Sequence, residues 1–178
     1  LMGKSRSTQI VVNSPVLTIA DILKIKAQKL TPWETFDILY TPVFGDSVAN
    51  EASLTDAIDT VANEVAKFAS DHGGIAILSD RQVSISKAAL PMTLVISAIN
   101  QRLIEEGLGL KVSLVAESGQ IASSHHIACA LGFGASAVYP LAVRLRAEQI
   151  YGGKAAEAFL RFKSAAEKAL KKTMGKVG

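Results

Sequence analysis

The sequence predicts an α/β fold: a mostly parallel sheet of about four strands with crossover helices, followed by a C-terminal amphipathic helix. Two observations support this prediction. Short β-prone runs alternate with helical patterns along the 178 residues, and the connections between them are short. This order is typical of parallel strands joined by right-handed helical crossovers. Four strands are too few to close an eight-stranded barrel, so we expect an open sheet or an incomplete barrel.

The N-terminal part combines a β-prone run with a helix start. Residues 9–12 are β-prone and are followed by turn residues, so we predict a short strand there. Thr18 and Asp21 then form a capping-box pattern, in which each side chain bonds an otherwise unpaired backbone N–H. The pattern predicts that the first helix opens at this point, with Ile19 and Ile22 among its apolar positions.

The next elements are a strand, a loop and a long helix. β-prone residues predict a strand at 36–40, and turn residues predict a loop over 42–52. Ser53 and Asp56 form a second capping-box pattern, so the second helix is expected to begin there. Apolar residues recur behind this pattern at helical spacing, and Gly73-Gly74 ends the helix.

The rest of the sheet follows from a continuous apolar run. Residues 75–78 are apolar without interruption, which is typical of a strand buried on both faces of a parallel sheet. A polar loop over 79–87 comes next. The remaining predicted elements are, in order, a helix over 91–106, a strand over 112–116, a helix over 120–131 and a strand over 135–139.

Residues 152–178 are predicted to be a C-terminal helix, distinct from the α/β segment at 9–151. Residues 1–8 are interpreted as a remnant of cloning or a disordered lead. Apolar side chains of the helix recur at three- and four-residue steps and form one stripe: Ala155, Phe159, Phe162, Ala166 and Ala169 or Leu170. Such a stripe packs on its own domain or docks on a partner. We expect the helix to fold back on the sheet or to pair with a second copy.

Composition excludes several classes of function. The chain is 49% hydrophobic, and no apolar run approaches the roughly 20 residues of a membrane-spanning helix, so no membrane partner is expected. The net charge is +3, and no groove-like pattern of basic and aromatic residues indicates nucleic-acid binding. Cys129 is the single cysteine, which precludes an internal disulfide and an iron–sulfur cluster held by this segment. A reducing cytoplasm is the expected compartment.

Polar residues follow the predicted strands where ligands bind in parallel α/β folds, beyond the carboxyl ends of the strands. Asp80 and Arg81 follow one strand, and Glu117 follows the next. One hypothesis is a small-anion site or an acid/base centre built from these three residues. The alternative is a structural network that ties the loops together, because charged loops are common at strand ends.

His125 and His126 suggest a metal site, but adjacent helix positions do not face each other. We therefore expect one histidine to be half-buried and hydrogen-bonded, and the other to face water or a partner. Cys129 lies one helical turn after them in an apolar stretch. It is interpreted as a small core residue, with a catalytic nucleophile as the weaker alternative.

Short motifs in a fixed order resemble one known family. They lie at 9–17, around Asn13-Ser14-Pro15; at 77–108, beginning with Ile77-Leu78-Ser79-Asp80-Arg81; and at 115–140, with Glu117-Ser118-Gly119, His125-His126 and Gly132-Phe133-Gly134. The tail at 170–178 continues the match. The chain resembles the large subunit of glutamate synthase, in the C-terminal part of the central domain up to the FMN-binding synthase domain. It departs from the usual pattern at Tyr139, where the family has Asn, and at Ser124, where it has Val.

The resemblance implies a part of an oxidoreductase that makes two glutamates from glutamine, 2-oxoglutarate and a reductant. In that family an amidotransferase domain releases ammonia, which passes through an internal tunnel to the FMN synthase domain. NAD(P)H or ferredoxin supplies electrons, through an iron–sulfur cluster in the complete enzyme. The central domain joins the two catalytic domains. For this segment the resemblance implies no catalytic residue and no cofactor. The rival readings are a stand-alone α/β protein that binds a small anion and a small cytosolic acid/base enzyme.

Overall fold

The computed structural model describes residues 10–177, so the predicted lead at 1–8 lies outside the described residues. Four strands form a parallel sheet: β1 (Trp33–Asp37), β3 (Gly74–Ser79), β5 (Val112–Ser118) and β6 (Ala137–Pro140), in the order β1-β3-β5-β6. Two short strands, β2 (Leu39–Tyr40) and β4 (Ala88–Ala89), form a separate antiparallel pair. The predicted α/β class and the parallel sheet are confirmed, and the four strands form an open sheet.

Six helices connect and cover the strands. They are α1 (Ile19–Ala27), α2 (Ser47–Asp71), α3 (Met92–Glu105), α4 (Ser124–Gly132), α5 (Leu141–Tyr151) and α6 (Ala155–Val177). A short 3-10 turn, Gly152–Lys154, separates α5 from α6. In the part of the chain that the structure describes, no helix is both long and apolar enough to span a membrane.

The sheet has a hydrophobic cluster on each face, because side chains alternate along every strand. Leu78, Leu114 and Val138 face one side, where α2, α3 and α4 cover them. Ile77, Val115 and Tyr139 face the other side. There α1, the loop that precedes it and the first turns of α6 cover them, through side chains that include Leu17, Ile22 and Phe159. The central strands are therefore buried on both faces.

The first predicted helix start is confirmed. Asp21 N–H donates to Thr18 Oγ1 over 3.2 Å, and Thr18 N–H donates to Asp21 Oδ2 over 2.8 Å. Burial of Asp21 raises the pKa of its carboxyl, but hydrogen bonds from the Thr18 N–H and hydroxyl, together with nearby Lys163 and Lys24, lower it overall. The capping box thus fixes the residue at which α1 begins.

The predicted start of the second helix is wrong. Helix α2 begins at Ser47, inside the predicted loop over 42–52, because Asp46 caps it by accepting from Ala49 N–H over 3.0 Å. Ser53 is not a cap, since its hydroxyl donates to the carbonyl of Thr41 over 2.8 Å. Asp56 lies in the helix interior. A stronger N-cap earlier in the chain overrides the capping-box pattern.

Two predicted strands also differ from the structure. Residues 10–12 are not a strand; instead Val16, nearer to α1, bridges to Val138 of β6. The strand predicted at 36–40 is divided into β1 and β2 around Ile38. Ile38 N–H donates to Ser79 and its carbonyl accepts from Leu90 N–H, so the backbone turns from one partner to the next at this residue.

Gly74 shows why the turn into β3 needs glycine. Its φ is +120°, and a Cβ at this position would lie 2.1 Å from the carbonyl oxygen of Pro32. Only a residue without a side chain permits this close approach of β1 and β3 at their amino ends.

Helix α6 packs on its own domain. Phe159 is buried beside Tyr139, and Ala166 and Leu170 are buried in the cluster that contains α4. Lys163 Nζ donates to the carbonyl of Val16, which ties the helix to the segment before α1. Of the two arrangements expected from the sequence, folding back on the sheet is the one observed.

Candidate functional site

The candidate site lies at the carboxyl ends of β3, β5 and β6. Ser79, Glu117 and Tyr139 are adjacent in strand register, so their side chains share one face of the sheet. All three are buried. Asp80 directly follows β3, Ser118 is the last residue of β5, and both are also buried. The structure thus brings together Asp80, Arg81 and Glu117, as the sequence pattern suggested.

Asp80 is bonded through both of its carboxylate oxygens. Ser118 Oγ donates to Oδ2 over 2.6 Å, and Gly119 N–H donates to Oδ1 over 2.9 Å. Gln120 Nε2 lies 3.4 Å from Oδ2. Asp80 is only 6% exposed, so these donors replace the water that the carboxylate loses on burial. The arrangement fastens the loop after β5 to the end of β3.

Gln120 extends this network to a third loop, a role that no sequence pattern indicates. Its Nε2 donates to the carbonyl of Leu90 over 2.8 Å, and its Oε1 accepts from Met92 N–H over 3.1 Å. Gln120 thereby provides an acceptor for the first backbone N–H of α3, where the N-cap residue Pro91 has no side chain that can do so. The helix predicted over 120–131 begins instead at Ser124, with Ser123 as its N-cap.

Glu117 is bonded through one oxygen only. Its Oε1 accepts from Ser79 Oγ over 2.9 Å and from Arg81 Nε over 2.8 Å. Its Oε2 is buried and has no hydrogen-bond partner among the described residues. Glu117 is 2% exposed, whereas the side chain of Arg81 is 43% exposed. The ion pair therefore joins a buried carboxylate to a guanidinium that partly faces water.

Tyr139 and the arginines complete the site. Burial raises the pKa of the Tyr139 phenol, although nearby Arg81 and Arg144 act in the opposite direction. The hydrogen bond to Glu117 raises the pKa of Arg81 above its already high value. The Tyr139 ring packs against Phe159 of α6, with 6.1 Å between ring centroids. The phenol is thus held neutral beside an ion pair.

The geometry favours internal contacts over ligand binding. Two carboxylates, Asp80 and Glu117, lie inside, whereas Arg81 extends outward. The side chain of Arg144 is 20% exposed, and its Nη1 is buried without a hydrogen-bond partner among the described residues. A bound anion would meet two carboxylates. One buried acceptor, Glu117 Oε2, has no hydrogen-bond partner among the described residues.

His125 and His126 lie apart from this cluster, in the first turn of α4. Both are exposed, so the expectation that one is half-buried is wrong. His126 Nδ1 accepts from Ala122 N–H over 3.3 Å, and His125 Nε2 lies 3.6 Å from Cys129 Sγ. The capped start of α4 leaves both rings on the solvent side. Among residues 10–177 no group of three or more His, Cys, Asp or Glu residues is arranged to hold a metal ion.

The cofactors implied by the resemblance do not fit these residues. An iron–sulfur cluster requires several thiolates, and Cys129 is the single cysteine of the sequence. A flavin phosphate requires backbone N–H groups or bases, whereas the N–H of Gly119 is already bonded to Asp80. The sequence therefore supplies no ligand set for an iron–sulfur cluster, and at the strand ends Gly119 N–H and Arg81 are engaged with Asp80 and Glu117.

Comparisons of the sequence with known proteins identify its family. Residues 2–178 match the sequence model of the family described as the glutamate synthase central domain. The chain is 36% identical over 131 residues to the ferredoxin-dependent glutamate synthase of Cyanidium caldarium, covering 72% of this chain and 8% of that protein. It is 32% identical over 142 residues to the chloroplastic ferredoxin-dependent glutamate synthase of Oryza sativa subsp. japonica, covering 78% of this chain and 8% of that protein.

A bacterial relative and a solved structure extend the comparison. The glutamate synthase (NADPH) large chain of Bacillus subtilis (strain 168) is 34% identical over 87 residues, which are 49% of this chain and 6% of that protein. The L230A mutant of flavocytochrome b2 with benzoylformate matches with a TM-score of 0.53 at 20% identity, over 89% of this chain and 34% of that chain. That likeness concerns the fold alone. The chain belongs to the glutamate synthase central domain family.

Proposed function

We propose that this chain is the non-catalytic part of a glutamate synthase large subunit that joins the amidotransferase and FMN synthase domains. The observation that supports this role is the closure of the strand ends: Asp80 and Glu117 bond to groups of the chain itself. In parallel α/β enzymes this position holds the ligand. Here it holds three loops together. Asp80, Arg81 and Glu117 are accordingly proposed as structural residues.

The complete enzyme is proposed to convert glutamine, 2-oxoglutarate and a reductant into two glutamates in the cytoplasm. FMN and an iron–sulfur cluster would be bound by its other domains, and this segment would bind neither. The relatives named above are described as ferredoxin-dependent or as NADPH enzymes, and the one from Oryza sativa subsp. japonica is chloroplastic. The chain spans only 8% of the length of the first of them, so the catalytic parts would lie elsewhere in the polypeptide.

Residues 9–151 are proposed as the α/β segment, and residues 152–178 as the helix that leads to the synthase domain. The solvent side of α5 and α6 supports a docking role. Leu145, Ile150 and Tyr151 of α5 are largely exposed, and Leu160 of α6 is exposed as well. The three α5 residues, with Phe162 of α6, line an apolar depression of about 650 Å³. A second copy of the chain is the alternative occupant, to be tested by sedimentation over a range of concentrations.

The joining role is tested by measuring ammonia transfer in the complete enzyme. Replacing Asp80 with Asn is expected to loosen the loops, so that less of the ammonia released from glutamine is recovered as glutamate. Glutamine hydrolysis, and glutamate formation from added ammonium chloride, should both persist. Arg161→Gln is the matched control, because its ion pair with Glu157 is exposed on α6.

Loss of glutamate formation from added ammonium, in an Asp80→Asn or Glu117→Gln enzyme that melts normally, would contradict the proposal. Those carboxylates would then act in catalysis, as the acid/base alternative requires. If Asp80→Asn destabilises the enzyme but leaves ammonia transfer unchanged, the proposal is contradicted as well.

A further inference from the structure

The two edges of the sheet differ in how their backbones are paired. The outer edge of β6 is covered by the chain itself: Val138 N–H donates to the carbonyl of Pro15 over 2.7 Å, and Leu17 N–H donates to the carbonyl of Val138 over 2.8 Å. At the opposite edge, β1 pairs with β3 and with no second strand among residues 10–177.

The direction of the free groups on β1 follows from two hydrogen bonds at its ends. The carbonyl of Pro32 accepts from Ile75 N–H, and Ile38 N–H donates to the carbonyl of Ser79, each over 2.9 Å. Backbone groups in a parallel strand alternate in direction from residue to residue. The even-numbered residues between these ends therefore face β3, and the N–H and C=O groups of Trp33, Thr35 and Asp37 face outward.

A side chain at this edge also lacks a partner. The Thr35 hydroxyl is buried and makes no hydrogen bond to any described residue. Buried hydroxyls are almost always paired in native proteins. An unpaired one in the middle of an open edge strand indicates that an acceptor or donor from outside residues 10–177 approaches here.

The surroundings of the edge are acidic. A groove of about 760 Å³ runs between β1 and α2. It is lined by four carboxylates, Glu34, Asp37, Glu64 and Asp71, against the two lysines Lys67 and Lys87. Lys67 is already paired with Asp71 over 2.7 Å. The groove therefore carries excess negative charge and attracts basic side chains.

We propose that β1 pairs with an extended, basic segment of the same enzyme from outside residues 1–178, which adds a strand to the sheet. The inference deepens the proposed joining role and rests on it. The relatives have ample chain for this purpose, since this chain spans 8% of their length. A second copy is disfavoured, because pairing β1 with itself would bring Glu34 and Asp37 of both copies into one seam.

Residue-resolved amide hydrogen exchange tests the proposal without any activity measurement. In the 178-residue chain, the amides of Trp33, Thr35 and Asp37 should exchange freely, whereas those of Phe36 and Ile38 should be protected by β3. In the complete large subunit the three outward amides should slow by about tenfold or more. The amide of Val138 should be equally protected in both proteins, since its edge is already paired.

Matched variants separate backbone pairing from side-chain effects. Thr35→Pro removes the central outward donor and should restore rapid exchange at Trp33 and Asp37 in the complete subunit. Thr35→Val also lacks the hydroxyl but keeps the N–H, so it should preserve most of the protection. Asp37→Lys should weaken protection at Trp33, whereas Asp59→Lys, on an exposed part of α2 outside the groove, should not.

Equal exchange of the outward amides in the short chain and the complete subunit would overturn the proposal. Protection of the outward amides already present in the 178-residue chain would overturn it as well. If that protection grows with protein concentration, the partner is a second copy. If it is lost on deleting residues 1–9, the partner is the chain's own N-terminal segment. This comparison uses the unsubstituted proteins, so it holds even if Thr35→Pro fails to fold. Ammonia transfer is not measured, so failure here is distinct from failure of the joining role.

Discussion

Asp80 and Glu117 are neighbouring buried carboxylates with different surroundings. Both lie at the carboxyl ends of adjacent strands and both are almost fully buried. Asp80 accepts through both oxygens, from a hydroxyl and a backbone N–H of the loop that follows β5. Glu117 accepts through Oε1 alone, and its Oε2 has no partner among the described residues.

The difference shows how the same residue chemistry serves two purposes. The donors to Asp80 are short and rigid, so its carboxylate fixes the path of a loop. The main charged partner of Glu117 is Arg81, whose long side chain is partly exposed and can move. A buried carboxylate is stabilising only as far as its partners compensate for lost hydration. Asp80 should therefore contribute more to stability than Glu117.

Asp80→Ala should have the largest effect. It leaves the buried Ser118 Oγ and the partly buried Gly119 N–H without this acceptor, and removing one partner of such a network costs on the order of 3 kcal/mol. The free energy of unfolding from urea titration measures the loss. Ser118→Ala, which removes only one of the donors, should cost about 1 kcal/mol. If Asp80→Ala unfolds at the same urea concentration as the parent protein, the network is not stabilising.

Glu117→Gln should cost less, about 1–2 kcal/mol. The amide oxygen can still accept from Ser79 and Arg81, and the new NH₂ group takes the place of Oε2, which has no bond to lose. The substitution removes the negative charge that pairs with Arg81. A loss as large as that of Asp80→Ala would remove the distinction between the two carboxylates.

Arg81→Met should cost about 1 kcal/mol or less, because a partly exposed ion pair is screened by water. A double-mutant cycle with Glu117→Gln isolates the pair from the effects of each single change. A coupling energy well above 1 kcal/mol would show that Arg81 is held as firmly as the donors around Asp80.

Alkaline pH should disturb the Glu117 side of the site but not the Asp80 side. The pKa of Tyr139 is raised in the folded state, so folded protein holds the phenol proton more tightly than unfolded protein. Stability is unaffected below the ordinary tyrosine pKa of about 10 and falls as the pH rises from there through the folded pKa. Unfolding free energies between neutral pH and this range measure the slope.

Tyr139→Phe should flatten the alkaline decline and differ little from the parent protein at neutral pH. Tyr151→Phe is the matched control, because Tyr151 lies exposed on α5. An alkaline slope that Tyr139→Phe leaves unchanged would mean that the phenol does not titrate beside Glu117, and that the decline has another origin.

Local sequence patterns determined the class of fold and the place of the polar cluster. The continuous apolar run of β3 and the alternation of elements predicted a parallel sheet, because burial on both faces leaves a clear signature. Thr18 and Asp21 predicted the start of α1, since a capping box is formed within four residues. Asp80 and Glu117 were expected at one end of the sheet, because the carboxyl ends of parallel strands coincide.

Only the tertiary structure decided which partners these residues have. Ser118 reaches Asp80 across 38 positions, and Gln120 reaches Leu90 across 30. Val16, rather than residues 10–12, covers the β6 edge. Hydrogen bonds between distant loops depend on how the strands are aligned, and local composition does not encode that alignment. The sequence by itself therefore determined the sheet and the location of its carboxylates. The packing of the loops decided that both oxygens of Asp80 accept hydrogen bonds, whereas Glu117 Oε2 has no partner among the described residues.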